Sequence, residues 1–454
     1  MNESARTGVF VTLAIASLGV AYLARPATPT RTEFDDAGER FFAEADPLLA
    51  RSLEVISFDE TAARAERFKV AQENGLWVIP SHENYPADAE EHLARAAASV
   101  LDLVKGPKVS DRAIDHETFG VVDPLDAPAG ASGIGTRVTI TDGGGDTMAD
   151  FIIGKSVKDA TNLRYVRVPE RDRVYTTAVD TTALTTRFQD WIEEDLLRLD
   201  PWAIKEIVIN DYTIDEFNQR LVQGELVELA YDEDLEKWSL ASLAESEQLV
   251  TAPVDAMKTA LDDLTIIDVH RKPEGLSAEL RTADALQLDA QAIGSLSARG
   301  FYITNNMLVS NQGELIVKMK SGVMYVLRFG EVALGERDAS ALDETDETDT
   351  APTGTPAARY LFVMAEFDPT LIDVPAATPP AETADDEEAE GPVEDTPDPR
   401  AEAIAAGRRE TQALNERFAD WYYVISDEVY RKLRLTRADL VEPVGTEVET
   451  TPSG

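Results

Sequence analysis

Cysteine is absent from the 454-residue chain, which removes disulfides, cysteine-ligated zinc, iron–sulfur clusters and thiol nucleophiles together. Histidine is nearly as scarce. The 4 histidines are His82, His92, His116 and His270, and no two of them have the one-turn spacing with an intervening acid that a zinc hydrolase helix presents. Each is expected at the surface, with His92 on a polar helix face. Basic charge is also in short supply, 42 Lys and Arg against 85 Asp and Glu for a formal net charge of -43. Such a field repels phosphate backbones and anionic headgroups, so nucleic acid is excluded as a partner and cations or a basic surface fit better. The Gly-x-Ser-x-Gly elbow of a serine hydrolase is missing too.

Long uncharged apolar runs are limited to one, Gly8 to Ala24 (GVFVTLAIASLGVAYLA). As a helix it spans roughly 26 Å, somewhat short of a bilayer core of about 30 Å, and Arg6 and Arg25 can snorkel to cover the difference. A cleavable signal peptide is the rival reading, but it wants small residues before the cut; Tyr22 before Ala24, or Arg25 before Ala27, fits badly. The expectation is a single-pass anchor at 8–24 in the inner (cytoplasmic) membrane, a cytoplasmic stub at 1–7 and a body in the periplasm or outside.

With 43% hydrophobic residues the remainder can bury substantial cores. A stalk is expected over 25–52 and a first strand at Leu53 to Phe58. Two apolar segments then flank Asn74-Gly75, the strongest short hairpin signal. Asp88 opens a helix whose face carries Leu93, Ala97, Val100, Leu101 and Val104. Alternating apolar and polar residues around Val138, Ile140, Phe151 and Ile153 predict a meander that continues through Tyr165 and Tyr175. A second amphipathic helix is expected with Leu184, Phe188, Trp191, Ile192, Leu196 and Leu199 on one stripe.

The same order then returns. Trp238 takes the place of Trp77, and Ala252-Pro253-Val254-Asp255 that of Tyr85-Pro86-Ala87-Asp88. A glycine closes one strand at Gly154 and another at Gly330. Arg164-Tyr165-Val166 is echoed by Arg359-Tyr360-Leu361, and Phe188-Gln189-Asp190-Trp191 by Phe418-Ala419-Asp420-Trp421. The fold expected is α+β, two degenerate repeats of a meander sheet covered by helices, behind one N-terminal transmembrane helix. The first module occupies 53–200 and the second 201–440, with a disordered tail at 441–454. Acidic stretches at 335–358 and 375–400 are read as flexible insertions, too poor in apolar residues to offset ordering entropy.

Gly154-Lys155-Ser156 has the tail of a phosphate-binding loop, but Ala149 stands where that loop requires glycine, so a strand-end turn is the better reading. Asp343 to Asp349 (DETDETD) lacks the glycine turn and fixed bidentate acid of a calcium loop. No catalytic, cofactor-binding or metal-ligating residue is assigned, and no cofactor is expected. Trp77, Trp191, Trp238 and Trp421 read as core anchors. Trp202, after Pro201, stands outside the repeat and is the candidate interface residue.

The stretch GLWVIPSHENYPADAEEHLARAAASV (75–100), with Asp150 to Lys155, Tyr165 to Val168, Arg173 to Tyr175 and FQDWIEEDLL (188–197), resembles the bacterial domain-of-unknown-function family numbered 4340, over roughly residues 55 to 200. The resemblance makes Trp77, Tyr85, Pro86, Asp88, Gly154, Tyr165, Asp190 and Trp191 structural recognition marks rather than catalytic residues. It also implies an N-terminal membrane helix, an extracytoplasmic body and protein partners in an ABC-transporter assembly of the gliding-motility type. The functional expectation is a non-catalytic, membrane-anchored accessory or scaffold protein. The alternatives are an acidic binding module for cations or a basic partner, and a carboxylate-based cell-envelope hydrolase.

Overall fold

The computed structural model describes residues 36–42, 45–59, 64–127, 130–160, 162–193, 195–215, 220–282, 288–304, 307–333, 358–373 and 398–444. The expected anchor at 8–24 and nearly all of both acidic insertions lie outside the described residues. Among the described residues no helix is long and apolar enough to cross a membrane.

In chain order the first elements are β1 (Ala50–Asp59), β2 (Arg64–Glu73), β3 (Leu76–Ile79), β4 (Tyr85–Pro86), α1 (Glu90–Leu101) and β5 (Lys108–Ser110). There follow α2 (His116–Phe119), β6 (Thr136–Asp142), β7 (Thr147–Ser156), β8 (Leu163–Arg167) and β9 (Val174–Ala178). Next come β10 (Ile204–Asp215), β11 (Arg220–Asp232), β12 (Lys237–Leu240), β13 (Glu247–Leu249), α3 (Ala252–Asp262), β14 (Asp268–Arg271), α4 (Glu274–Thr282) and α5 (Ala290–Ser297). The chain continues with β15 (Phe301–Thr304), β16 (Met307–Ser310), β17 (Glu314–Met319), β18 (Val323–Ala333) and β19 (Ala358–Phe367). It ends with α6 (Pro399–Phe418), β20 (Trp421–Ser426), α7 (Asp427–Leu433), α8 (Arg437–Leu440) and β21 (Val441–Pro443). The class is mixed α+β, dominated by antiparallel sheet.

Two compact units divide the chain, one of residues 1–50, 55–66 and 95–181, the other of residues 51–54, 67–94 and 182–454. Within the first, residues 55–59 of β1 stand beside β6 and the strands run in the order β1-β6-β7-β8-β9-β5. Val138 and Ile140 of β6 and Ala149, Phe151 and Ile153 of β7 are buried, as the alternation predicts, and Ile152 between the last two is buried as well. The segment at 36–42, placed by sequence in a stalk, is tied to this unit: Gly38 N–H donates to Lys105 O at 2.8 Å and Phe41 N–H to Leu103 O at 3.0 Å.

Within the second unit, β2 and β3 form the expected hairpin, Glu73 opposite Leu76. Asn74 and Gly75 take φ of 51° and 83°, the left-handed pair that a two-residue turn needs. The large sheet of this unit runs β12-β11-β10-β17-β18-β19-β20-β14, and its neighbouring strands pair antiparallel. From β10 onward that order parallels the first unit strand for strand: β10-β17-β18-β19-β20-β14 against β1-β6-β7-β8-β9-β5. A second likeness lies in one side chain. Arg164 of β8 donates to Gly154 O at 3.4 Å, and Arg359 of β19 donates to Gly330 O at 2.9 Å.

Several sequence expectations fail locally. The helix expected across 184–199 is instead two 3₁₀ turns, Thr182–Leu184 and Phe188–Trp191, with Arg187 extended between them. The threonines explain this, since β-branching disfavours helix and hydroxyls compete for backbone groups; Thr185 Oγ1 accepts from Arg187 N–H at 3.1 Å. All six apolar residues of the stripe are nonetheless buried. Gly154 and Gly330 lie inside β7 and β18 rather than closing them. A Cβ there would collide with the carbonyl oxygens of Phe119 and Arg299 respectively, so close backbone approach fixes these glycines. The pairing of Phe188–Trp191 with Phe418–Trp421 also fails, because Trp421 opens β20 whereas Phe188–Trp191 follows β9. Val441–Pro443, expected in a disordered tail, pairs with β13.

Candidate functional site

The motif residues are tied into the fold through backbone pairing and, at some positions, side-chain packing. In the second unit, Ala87 N–H donates to Trp77 O and Asp88 N–H to Trp191 O, both at 2.9 Å, and Pro86 pairs opposite Val78. Trp191 is fully buried; its indole N–H donates to Thr185 O at 3.0 Å and its ring meets His92 at 4.2 Å. Asp190 accepts from Arg187 at 3.0 Å. Tyr85 packs edge-on against Phe188 and Trp421, with centroids 5.3 and 4.9 Å away, and burial pushes its hydroxyl up to about 12. In the first unit Gly154 permits the close approach described above, and Tyr165 packs on Phe119 at 4.7 Å. Lys155 donates to the carbonyls of Glu117 and Thr118 at 3.4 and 3.3 Å, so its ammonium is turned onto the end of α2.

Two histidines expected at the surface prove to be packed ones. His92 Nε2 lies 3.2 Å from Ala183 O. His82 stacks on Phe188 at 4.7 Å and reaches Ser81 Oγ at 3.0 Å. Its pKa falls to about 4, from burial first and then from His270; the Asp268 carboxylate, 3.7 Å away, is too far for a charge-assisted hydrogen bond. His270 in turn contacts Glu83 at 3.2 Å, and the second oxygen of Glu83 accepts from Arg271 N–H at 3.0 Å. Among the described residues no three His, Asp or Glu side chains converge as a metal site.

Among the described residues Lys272 is the most buried cation, 3% exposed. Its ammonium donates to Phe418 O at 3.0 Å and sits 3.9 Å from the Phe362 ring centre. Burial drives its pKa well below the ordinary lysine value, against a smaller opposing pull from Asp420.

One open cleft of the second unit, about 580 Å³, is lined by Trp202, Trp238, Tyr231, Lys258, Lys237 and Asp255 among others. Trp202 is 81% exposed. It stands on a short turn whose cap, Asp200, accepts from Trp202 N–H at 2.9 Å, with Pro201 fixing the entry. The Lys258 ammonium lies 4.8 Å from the Trp202 ring centre and 6.0 Å from that of Trp238, and Tyr231 meets Trp238 at 5.4 Å across the β11–β12 pair. Trp238 is thus a cleft wall, partly exposed, rather than a core anchor.

Comparison with known families turns on the segment that carries these residues. A family model described as Domain of unknown function (DUF4340) matches residues 77–291. That segment belongs to the DUF4340 family. No curated protein and no solved structure matches the chain. The DUF4340 segment begins at Trp77 and runs past the meander to Gln291, further than the stretch on which the sequence resemblance rests. It contains the packing cluster around Trp191, both His82 and His270, Lys272, and every cleft residue named above. Sequence reasoning singled out Trp202 but not the company it keeps: Lys258 lies one helix away, and no local pattern links α3 to the turn at Trp202. Lys272 left no signal either, for a lone lysine ahead of a proline reads as surface.

Proposed function

We propose that the chain is a non-catalytic, membrane-anchored extracytoplasmic accessory or scaffold protein, held by residues 8–24 and working beside the subunits of an ABC-transporter assembly. The observation that carries this reading is the placement of the motif side chains. Trp191, Tyr85 and Gly154 are used in packing, so what marks the segment is a shape rather than a reactive site. The matched strand orders, with the paired Arg164 and Arg359 contacts, support two copies of one α+β module derived by duplication. A doubled module offers two related surfaces from one tether, which suits a protein that bridges partners. The apolar run supplies the tether, and the charge of -43 keeps the body soluble and clear of anionic headgroups.

The test is extraction of native membranes in mild detergent, followed by purification through a C-terminal tag. Transporter permease and ATPase subunits are expected to co-elute in fixed ratio. Recovery as a lone monomer contradicts the assembly role.

A further inference from the structure

The cleft beside Trp202 stands apart from the packing around Trp191, and aromatic and basic side chains line it together. We propose that it binds a carbohydrate carrying a carboxylate, through the indoles of Trp202 and Trp238 and the ammonium groups of Lys258 and Lys237.

Flat apolar walls and a polar rim occur here together. Trp202, Trp238 and Tyr231 supply aromatic faces, while Lys237, Lys320, Glu236, Asp255 and Thr251 supply donors and acceptors around them. A pyranose ring needs both, since it presents a face of C–H groups with hydroxyls around its equator. An apolar protein side chain would bury those rim groups without partners, at a cost. The volume of about 580 Å³ falls within the ~300–1000 Å³ of ordinary ligand sites, enough for a short oligosaccharide.

Charge narrows the class further. Across the chain, acids outnumber bases 85 to 42, yet the cleft lining is close to balanced, with Lys237, Lys258 and Lys320 beside Glu236 and Asp255. Lys320 is engaged by Glu233 at 2.6 Å. Lys258 lies beside the two indoles on the wall of the cleft. An anionic sugar meets two ammonium groups here and net repulsion over most of the remaining surface.

Trp202 is also ready to bind. An indole 81% in solvent is costly to keep, and this one sits on a turn fixed by Pro201, by the Asp200 cap, and by Lys320 N–H donating to Ala203 O at 2.9 Å. Little freedom remains to be lost on binding.

The experiment titrates the full chain in detergent with tri-galacturonic acid and, separately, with maltotriose as the neutral probe, following tryptophan fluorescence and calorimetric heat. The acidic trisaccharide is expected to bind more tightly than the neutral one, with the difference shrinking as salt is raised. Trp202→Ala is expected to weaken binding of both at least about tenfold while the far-ultraviolet circular dichroism spectrum is unchanged. Lys237→Gln is expected to remove the preference for the acid and spare the neutral sugar. The proposal is overturned if neither trisaccharide binds, if Trp202→Ala leaves binding unchanged, or if a photo-crosslinker at position 202 in native membranes captures a polypeptide and no glycan. These outcomes do not depend on the transporter assembly, so failure here and failure of the accessory role are told apart.

Discussion

His82 is neutral at physiological pH because charging it would strand a cation among Phe68, Phe188 and His270. Its folded pKa of about 4 lies below the ordinary 6.5, so the unfolded chain takes up the proton first and stability falls with pH between those values. The effect is at most about 3 kcal/mol, complete below about pH 4 and absent above about 6.5. Urea unfolding across that window is expected to show the slope in the native chain and its loss in His82→Phe. Lys272 obeys the same logic at the basic end: with its folded pKa depressed, native stability rises as pH climbs toward 10.5. Replacing a buried charge by an apolar side chain of similar length is often stabilising. Lys272→Met is therefore expected to raise the urea midpoint, by the equivalent of about 1–2 kcal/mol near neutral pH, and to flatten the alkaline rise. Among the glycines, Gly330→Ala forces a Cβ onto Arg299 O and is expected to cost about 1–3 kcal/mol. Gly294→Ala, with nothing within 4 Å inside α5, is expected to gain up to about 1 kcal/mol.

Elements differ in how far their sequence declares them. The Asn74-Gly75 hairpin and the strands around Val138 and Phe151 are legible because turn chemistry and period-two alternation are local signals. The 182–199 segment is not, since its apolar spacing suits a helix while its threonines hold it in short turns. The helix α6 is legible as a helix but its purpose is not. Asn415 projects from it onto β19, where its side chain accepts from Ala365 N–H at 2.8 Å and donates to Ala365 O at 2.7 Å. The amide takes the place of a neighbouring strand at that point. Asn415→Leu leaves both backbone groups buried without partners and is expected to cost about 2–4 kcal/mol, read as a lowered urea midpoint with unchanged helix content. Such a clamp joins residues 50 positions apart, a separation beyond any periodicity.

At the scale of the whole molecule, the recurrence of motif pairs along the chain anticipates the matching strand orders. It does so imperfectly, because residue types recur for different reasons: Gly154 and Gly330 mark the same backbone contact, whereas Trp191 and Trp421 share only a dipeptide. The candidate cleft was legible in one residue, Trp202, whose exposure follows from a rigid turn. Its other walls come from β11, β12 and α3, brought together by the tertiary fold alone. The proposed tether and partners belong to this scale as well. Deleting residues 8–24 is expected to move the chain from the membrane pellet to the soluble fraction after alkaline washing, with its circular dichroism retained. The accessory role is tested most directly by crosslinking mass spectrometry on intact native membranes. The account predicts crosslinks from the body at 36–444 to integral subunits of a transporter. Crosslinks confined to the chain itself, or to soluble cytoplasmic proteins, would contradict it.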